Sequence, residues 1–247
     1  MIDGVVWESR HKFVYYDKDT KNQILDMISN YPAKLDSEEP IVVYIKDDGL
    51  PKIDNKLKLD KYRIRAFHNN YYDLLIFLSI IETLIKSIDR EVLNNIFNRL
   101  FRMCSVISKT NIDDVLVIRD LVDDSKNIYK ESYIKYMETG KLDFYDKLSF
   151  PFVMIDDVVE CLKKDIGLKK YFSLLIDFND DLSIYNQMAI NSYIASRCNG
   201  YLSVNVLLDN YNWKYYYSSN GQLIEYVHDY TEVDLKKYKD KVKIRQS

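Results

Sequence analysis

The chain has 247 residues, of which 47% are hydrophobic and 30% charged, and its formal net charge is −3. That length buries a core without staples, and with only six glycines and four prolines a collagen-like, low-complexity or disordered chain is excluded. The mild acidity gives no overall pull toward nucleic acid, and three widely spaced cysteines (Cys104, Cys161, Cys198) exclude a disulfide framework or thiolate zinc site.

At the N-terminus no basic stretch precedes an apolar one, so no secretion signal is expected. Phe13-Val14-Tyr15-Tyr16 reads as a short strand, followed by a helix opening at Thr20 or Lys21 in which Ile24, Leu25 and Ile28 recur at helical spacing. Ile41-Val42-Val43-Tyr44-Ile45 is a β-branched run without alternation, which predicts a strand buried on both faces of a parallel sheet. Residues 70–109 carry a helical pattern with a break near Asp89. The segment 74–88 is interrupted by Glu82 and Lys86 and is too short to span a bilayer, so a soluble, cytoplasmic protein is expected. The more polar residues 111–147 and the segment 153–164 also read as helical.

Tyr171-Phe172-Ser173-Leu174-Leu175-Ile176 is a second apolar strand, ending on Asp177. A helix through 187–196, a strand over 202–208 and a last strand over 230–235 follow. Between them, Ser218-Ser219-Asn220-Gly221 separates two β-rich runs, a strong hairpin signal. Residues 236–245 carry six basic side chains against the single acid Asp240. Apolar strands alternating with helices predict a doubly wound parallel α/β sheet, here with an α-helical insertion at about 89–150 and a C-terminal β-hairpin; residues 1–235 form the expected domain and 236–247 a basic tail.

Chemistry concentrates at two strand ends. In P-loop NTPases an apolar strand ends on an acid that holds the magnesium shell, and Leu174-Leu175-Ile176-Asp177 has that form. Any parallel strand can end this way, with Asp177 merely capping the next turn. Phe178 stands where a second acid would polarise water. A working phosphate loop needs glycines whose N–H groups wrap the phosphates, then Lys, then Ser or Thr, yet no G-x-x-x-x-G-K-[ST] occurs. After the first strand stands Asp17-Lys18-Asp19-Thr20-Lys21-Asn22, whose carboxylates oppose a triphosphate: like charges ~4 Å apart repel by a few kcal/mol. Asp180 and Asp181 read as N-terminal helix charges. Trp213, Tyr215 and Tyr217 alternate onto one face, either as core or, with Lys214 and the basic tail, as a stacking platform for single-stranded nucleic acid.

The block Ala189-Ile190-Asn191-Ser192-Tyr193-Ile194-Ala195-Ser196-Arg197, the strand Leu202-Ser203-Val204-Asn205-Val206, Asn212-Trp213-Lys214-Tyr215-Tyr216 and the stretch His228-Asp229-Tyr230-Thr231-Glu232-Val233-Asp234 resemble a bacterial family of origin-recognition-like AAA+ ATPases. The resemblance implies a P-loop NTPase-like (AAA+-like) fold and an Mg-ATP site. In it Asp177 falls on the magnesium-proximal acid, Lys21 and Asn22 on the phosphate-loop Lys-Thr, and Arg197 at a helix end that faces a neighbouring subunit. Arg197 reads equally as a surface ion pair. The sequence departs from the family in its loop without glycine, in Phe178, and in stopping after Leu235 short of a DNA-binding domain. A catalytically impaired pseudo-ATPase is therefore expected. It would need no cofactor and would bind or scaffold a protein partner, an active ATPase relative or an effector, in a bacterial or mobile-element complex such as a defence system. Two alternatives stay open: a divergent active ATPase using Mg-ATP with Lys18 or Lys21 and Asp177, and a nucleic-acid-binding module.

Overall fold

The computed structural model describes residues 11–29, 40–47, 49–52, 57–103, 114–141, 163–164, 171–178, 182–195, 202–209 and 213–235. Two compact units make up the chain, Met1–Gly49 with Lys170–Ser247, and Leu50–Lys169.

In the first unit five strands form one sheet: β1 (His11–Tyr15), β2 (Ile41–Asp47), β3 (Phe172–Phe178), β4 (Leu202–Leu208) and β5 (Tyr230–Asp234). Their order is β2-β3-β4-β1-β5, and every pairing is parallel. Among the described residues, two helices belong to the same unit, α1 (Lys18–Ser29) and α5 (Ile184–Ala195). The strands β1, β3 and β4 are buried along their whole length. Their runs lack alternation because both faces are covered. On one face Val14, Leu175 and Leu207 pack with Tyr16, Leu235 and Ile24 of α1, joined by Val42, Tyr44 and Val233. Successive side chains on a strand point to opposite faces, so Phe13 faces the other way. There its ring meets Trp213 at 4.9 Å, Tyr230 at 4.8 Å and Tyr216 at 6.3 Å between centroids. The doubly wound parallel α/β sheet expected from the sequence is the observed one.

The second unit contains α2 (Lys61–Ile85), α3 (Arg90–Met103) and α4 (Val115–Thr139). Asp60 and Asp114 cap α2 and α4, accepting the N–H groups of Tyr62 and Leu116 through their side chains. The helix α4 ends on Gly140, whose φ of 68° is the left-handed conformation that glycine adopts without steric cost. Phe67 and His68 of α2 pack against Tyr133 and Tyr136 of α4, and α3 joins them through the Arg90–Asp114 ion pair and a bond from the Val115 N–H to Asn94 Oδ1. The break near Asp89 separates α2 from α3 as expected. The helical unit starts at Leu50 rather than near residue 89, because the apolar length of α2 is buried against α4. The expected helix over 153–164 lies almost wholly outside the described residues.

Candidate functional site

The site forms where β1 gives way to α1. Only Tyr16 and Asp17 separate strand from helix. Asp17 caps α1: its Oδ1 accepts the Thr20 N–H at 2.8 Å and the Thr20 hydroxyl at 2.6 Å, while its carbonyl accepts the Lys21 N–H at 2.9 Å. A carboxylate at this position satisfies donors that a helix N-terminus otherwise offers to an anion. Asp17 thus occupies its own helix end, and Asp19 and Asn22 are exposed.

Helical side chains lean toward the helix N-terminus, and from the first turn Lys21 reaches the carboxyl end of β3. Its ammonium lies 2.7 Å from Oδ2 and 3.0 Å from Oδ1 of Asp177, which is 1% exposed. The Tyr16 hydroxyl donates to Oδ1 at 2.9 Å and the Tyr44 hydroxyl, from β2, donates to Oδ2 at 2.6 Å. Lys21 also donates to Tyr16 Oη at 3.3 Å, with its ammonium 5.3 Å from the centre of that ring. Burial and then the Asp177 charge and hydrogen bond push the Tyr16 phenol far up; burial, the hydrogen bond and the charge do the same for Tyr44. Both therefore stay protonated and act as donors. The result is a carboxylate bound on both oxygens by two phenols and an ammonium. It acts as a base or metal ligand only if some of these bonds open.

The structure thus brings together two of the three residues expected at the nucleotide site, Lys21 and Asp177, and leaves Asn22 apart from them on the exposed side of α1. Tyr16 and Tyr44 complete the cluster, and no motif announced them. The one signal was a hydroxyl-bearing ring inside an otherwise aliphatic strand. Arg197 and Asp180–Asp181 lie outside the described residues, as does the basic tail.

The hairpin turn is where the sequence placed it. Gly221, at φ 81°, donates its N–H to the Ser218 carbonyl, Ser218 donates its N–H to the Gln222 carbonyl, and Tyr217 bridges Leu223 in antiparallel fashion. Trp213 is buried against Phe13 and belongs to the core, the first of the two readings of these rings, and it is not available to a three-ring platform. Tyr215 and Tyr217 pair at 5.6 Å, Tyr217 is 45% exposed, and Lys214 is exposed. Side chains of α5 hold this segment by its backbone. Gln187 Oε1 accepts the N–H groups of Lys214 and Tyr215, both at 3.0 Å, and Asn191 donates to the carbonyls of Tyr215 and Tyr217. Ser192 Oγ accepts the Ser219 N–H at 3.0 Å. The Asn191-Ser192 pair of the sequence signature is therefore a bracket for the hairpin.

A family model described as ORC-CDC6-like matches residues 36–246. The chain belongs to the ORC-CDC6-like family. Its sheet and helices accord with the P-loop NTPase-like AAA+ architecture of an ORC-CDC6-like chain, and the matched range takes in Tyr44, Asp177 and the α5 bracket. It begins after β1, Tyr16, Asp17 and Lys21. No curated protein and no solved structure matches the chain. Among the described residues no group of three or more His, Cys, Asp or Glu is placed to hold a metal, and no helix is long and apolar enough to cross a membrane.

Proposed function

We propose that this ORC-CDC6-like chain is a binding or scaffolding subunit whose nucleotide site is closed by its own side chains. The observation that carries the reading is the direct bond of Lys21 to Asp177 beneath a connection of only two residues. An Mg-ATP site at this strand end needs backbone N–H groups to wrap phosphates, a lysine for the phosphate charge and a carboxylate for the magnesium shell. Here the helix N-terminus is bonded to Asp17, the lysine is neutralised by Asp177, and Tyr16 and Tyr44 fill the remaining acceptor positions of that carboxylate. These residues do not fit the group, and no hydrolytic step is derived through it. Function then rests on contact with a protein partner, an active ATPase relative or an effector.

Isothermal titration of the full chain with Mg-ATP tests the reading. No saturable heat is expected at nucleotide concentrations up to the millimolar range. Tight binding that is lost in Lys21→Met would replace this proposal with its rival, a divergent active ATPase. That rival further requires phosphate release that disappears in Asp177→Ala.

A further inference from the structure

A second cluster lies at the other end of the sheet order, on β5. Glu232 sits opposite Phe13 in the β1–β5 register, and Tyr230 is its neighbour on the same face two residues earlier. Three tyrosines surround it. Tyr15 donates its hydroxyl to Glu232 Oε1 at a long 3.4 Å. The phenols of Tyr15, Tyr216 and Tyr230 are all pushed up, first by burial and then in part by the Glu232 charge, Tyr230 to about 12. The rings of Tyr216 and Tyr226 both pack on Tyr230, at 5.9 Å and 5.8 Å between centroids. Tyr226 is 59% exposed, Tyr216 is half-buried, and Glu232 is exposed at the strand surface.

The cluster sets a negative charge beside π faces. Among the described residues, the Tyr15 hydroxyl is the hydrogen-bond donor to the Glu232 carboxylate, and no ion pair involves that carboxylate. The loop that presents Tyr226 is tightly built. Glu225 N–H bonds to Asp229 Oδ2 at 2.9 Å, Asp229 N–H to the Glu225 carbonyl at 2.8 Å and Val227 N–H to the Tyr230 carbonyl at 2.7 Å. Val227 is held there at φ 69°, a conformation that β-branched residues rarely adopt. Electron-rich ring faces beside a carboxylate are the complement of a guanidinium, which stacks on the rings and forks onto the acid. We infer that this tyrosine-ringed Glu232 receives an arginine side chain of a protein partner. The same carboxylate repels phosphates, which disfavours nucleic acid here. The inference deepens the reading of the chain as a contact subunit, but it does not depend on the state of the nucleotide site.

The test uses the full chain and three short Gly-Ser peptides that carry one central arginine, lysine or citrulline, followed by NMR of the labelled tyrosines. Saturable shifts at Tyr216, Tyr226 and Tyr230 are expected with the arginine peptide and not with the uncharged citrulline one. Glu232→Gln should weaken binding about tenfold or more, and Tyr226→Ala about threefold. Unaltered melting of Glu232→Gln would show that the loss is local. Equal shifts from citrulline or lysine, binding unchanged in Glu232→Gln, or the same tyrosines shifting with an oligothymidylate would overturn the inference. Failure here leaves the Mg-ATP titration untouched, and tight Mg-ATP binding leaves this result untouched.

Discussion

Asp177 owes its place in the protein interior to three partners drawn from distant parts of the chain. A buried carboxylate is costly unless it is paired and hydrogen-bonded, and Tyr16, Lys21 and Tyr44 supply four bonds to its two oxygens. Tyr44→Phe removes one charge-assisted bond and should cost about 2 kcal/mol in urea unfolding. Lys21→Met leaves the charge without its counter-ion and should cost more, about 3 kcal/mol. Equal stability of both variants with the parent would mean that the cluster opens in solution. Two histidines give a separate handle. Burial lowers His11 and His68 to about 4, against the weaker opposing influences of Asp229 on His11 and of the Ile64 carbonyl on His68. In the fold His11 Nδ1 accepts the Val204 N–H, and His68 Nδ1–H donates to the Ile64 carbonyl, so both rings are neutral. The unfolded chain binds protons below pH ~6.5 and the folded one only near 4. Stability is therefore full above 6.5, falls as the pH drops from 6.5 to 4, and loses up to about 3 kcal/mol per ring. Urea midpoints measured at pH 7, 6, 5 and 4 should show this fall, and His68→Leu should flatten part of it.

At the scale of elements, α5 does work usually left to a sheet edge. Its buried Gln187 and Asn191 and its half-buried Ser192 occupy one side of the helix at near four-residue spacing, and each bonds backbone groups of the segment 214–219. The hairpin consequently needs little ladder of its own, and Tyr217–Leu223 is its antiparallel bridge. Gln187→Ala leaves the Lys214 and Tyr215 N–H groups without their acceptor. Hydrogen exchange at these two amides should accelerate at least about tenfold, with a loss of about 1–3 kcal/mol in local stability. Unchanged exchange would show that the segment is held by Trp213 packing alone. The strand β4 carries a similar lesson: Ser203 and Asn205 sit inside a run that looks apolar, and Asn205 Nδ2 donates to Ser173 Oγ at 3.0 Å across the sheet.

For the whole molecule, adjacent parallel strands require a crossover, and the one between β2 and β3 contains the helical unit Leu50–Lys169. That unit has capped helices and its own aromatic core of Phe67, Tyr133 and Tyr136. Residues 50–169 expressed alone should give a helical circular dichroism spectrum with a cooperative thermal transition. A broad, non-cooperative melt would show that the unit relies on the sheet for its order.

The periodic parts of this protein were legible from the chain alone. Unbroken apolar runs gave away strands of a parallel sheet. The β-branched run of β2, expected to be buried on both faces, instead lies at the sheet edge and buries Ile41, Val43 and Ile45 while Val42 and Tyr44 stay half-exposed. The recurrence of Ile24 with its neighbours marked α1, Asp89 marked the break between α2 and α3, and Asn220-Gly221 marked the hairpin turn. These features are local, since backbone sterics and the alternation of apolar residues act over a few positions. The pairing of Lys21 with Asp177 was foreseeable only as positions of a resembled family. Their closure by Tyr16 and Tyr44, the burial of Trp213 and the bracket on α5 depended on tertiary structure. Those bonds join residues from 24 to 161 positions apart, and a distance of that kind is decided by which surfaces the folded chain must bury and which polar groups are then left to find one another.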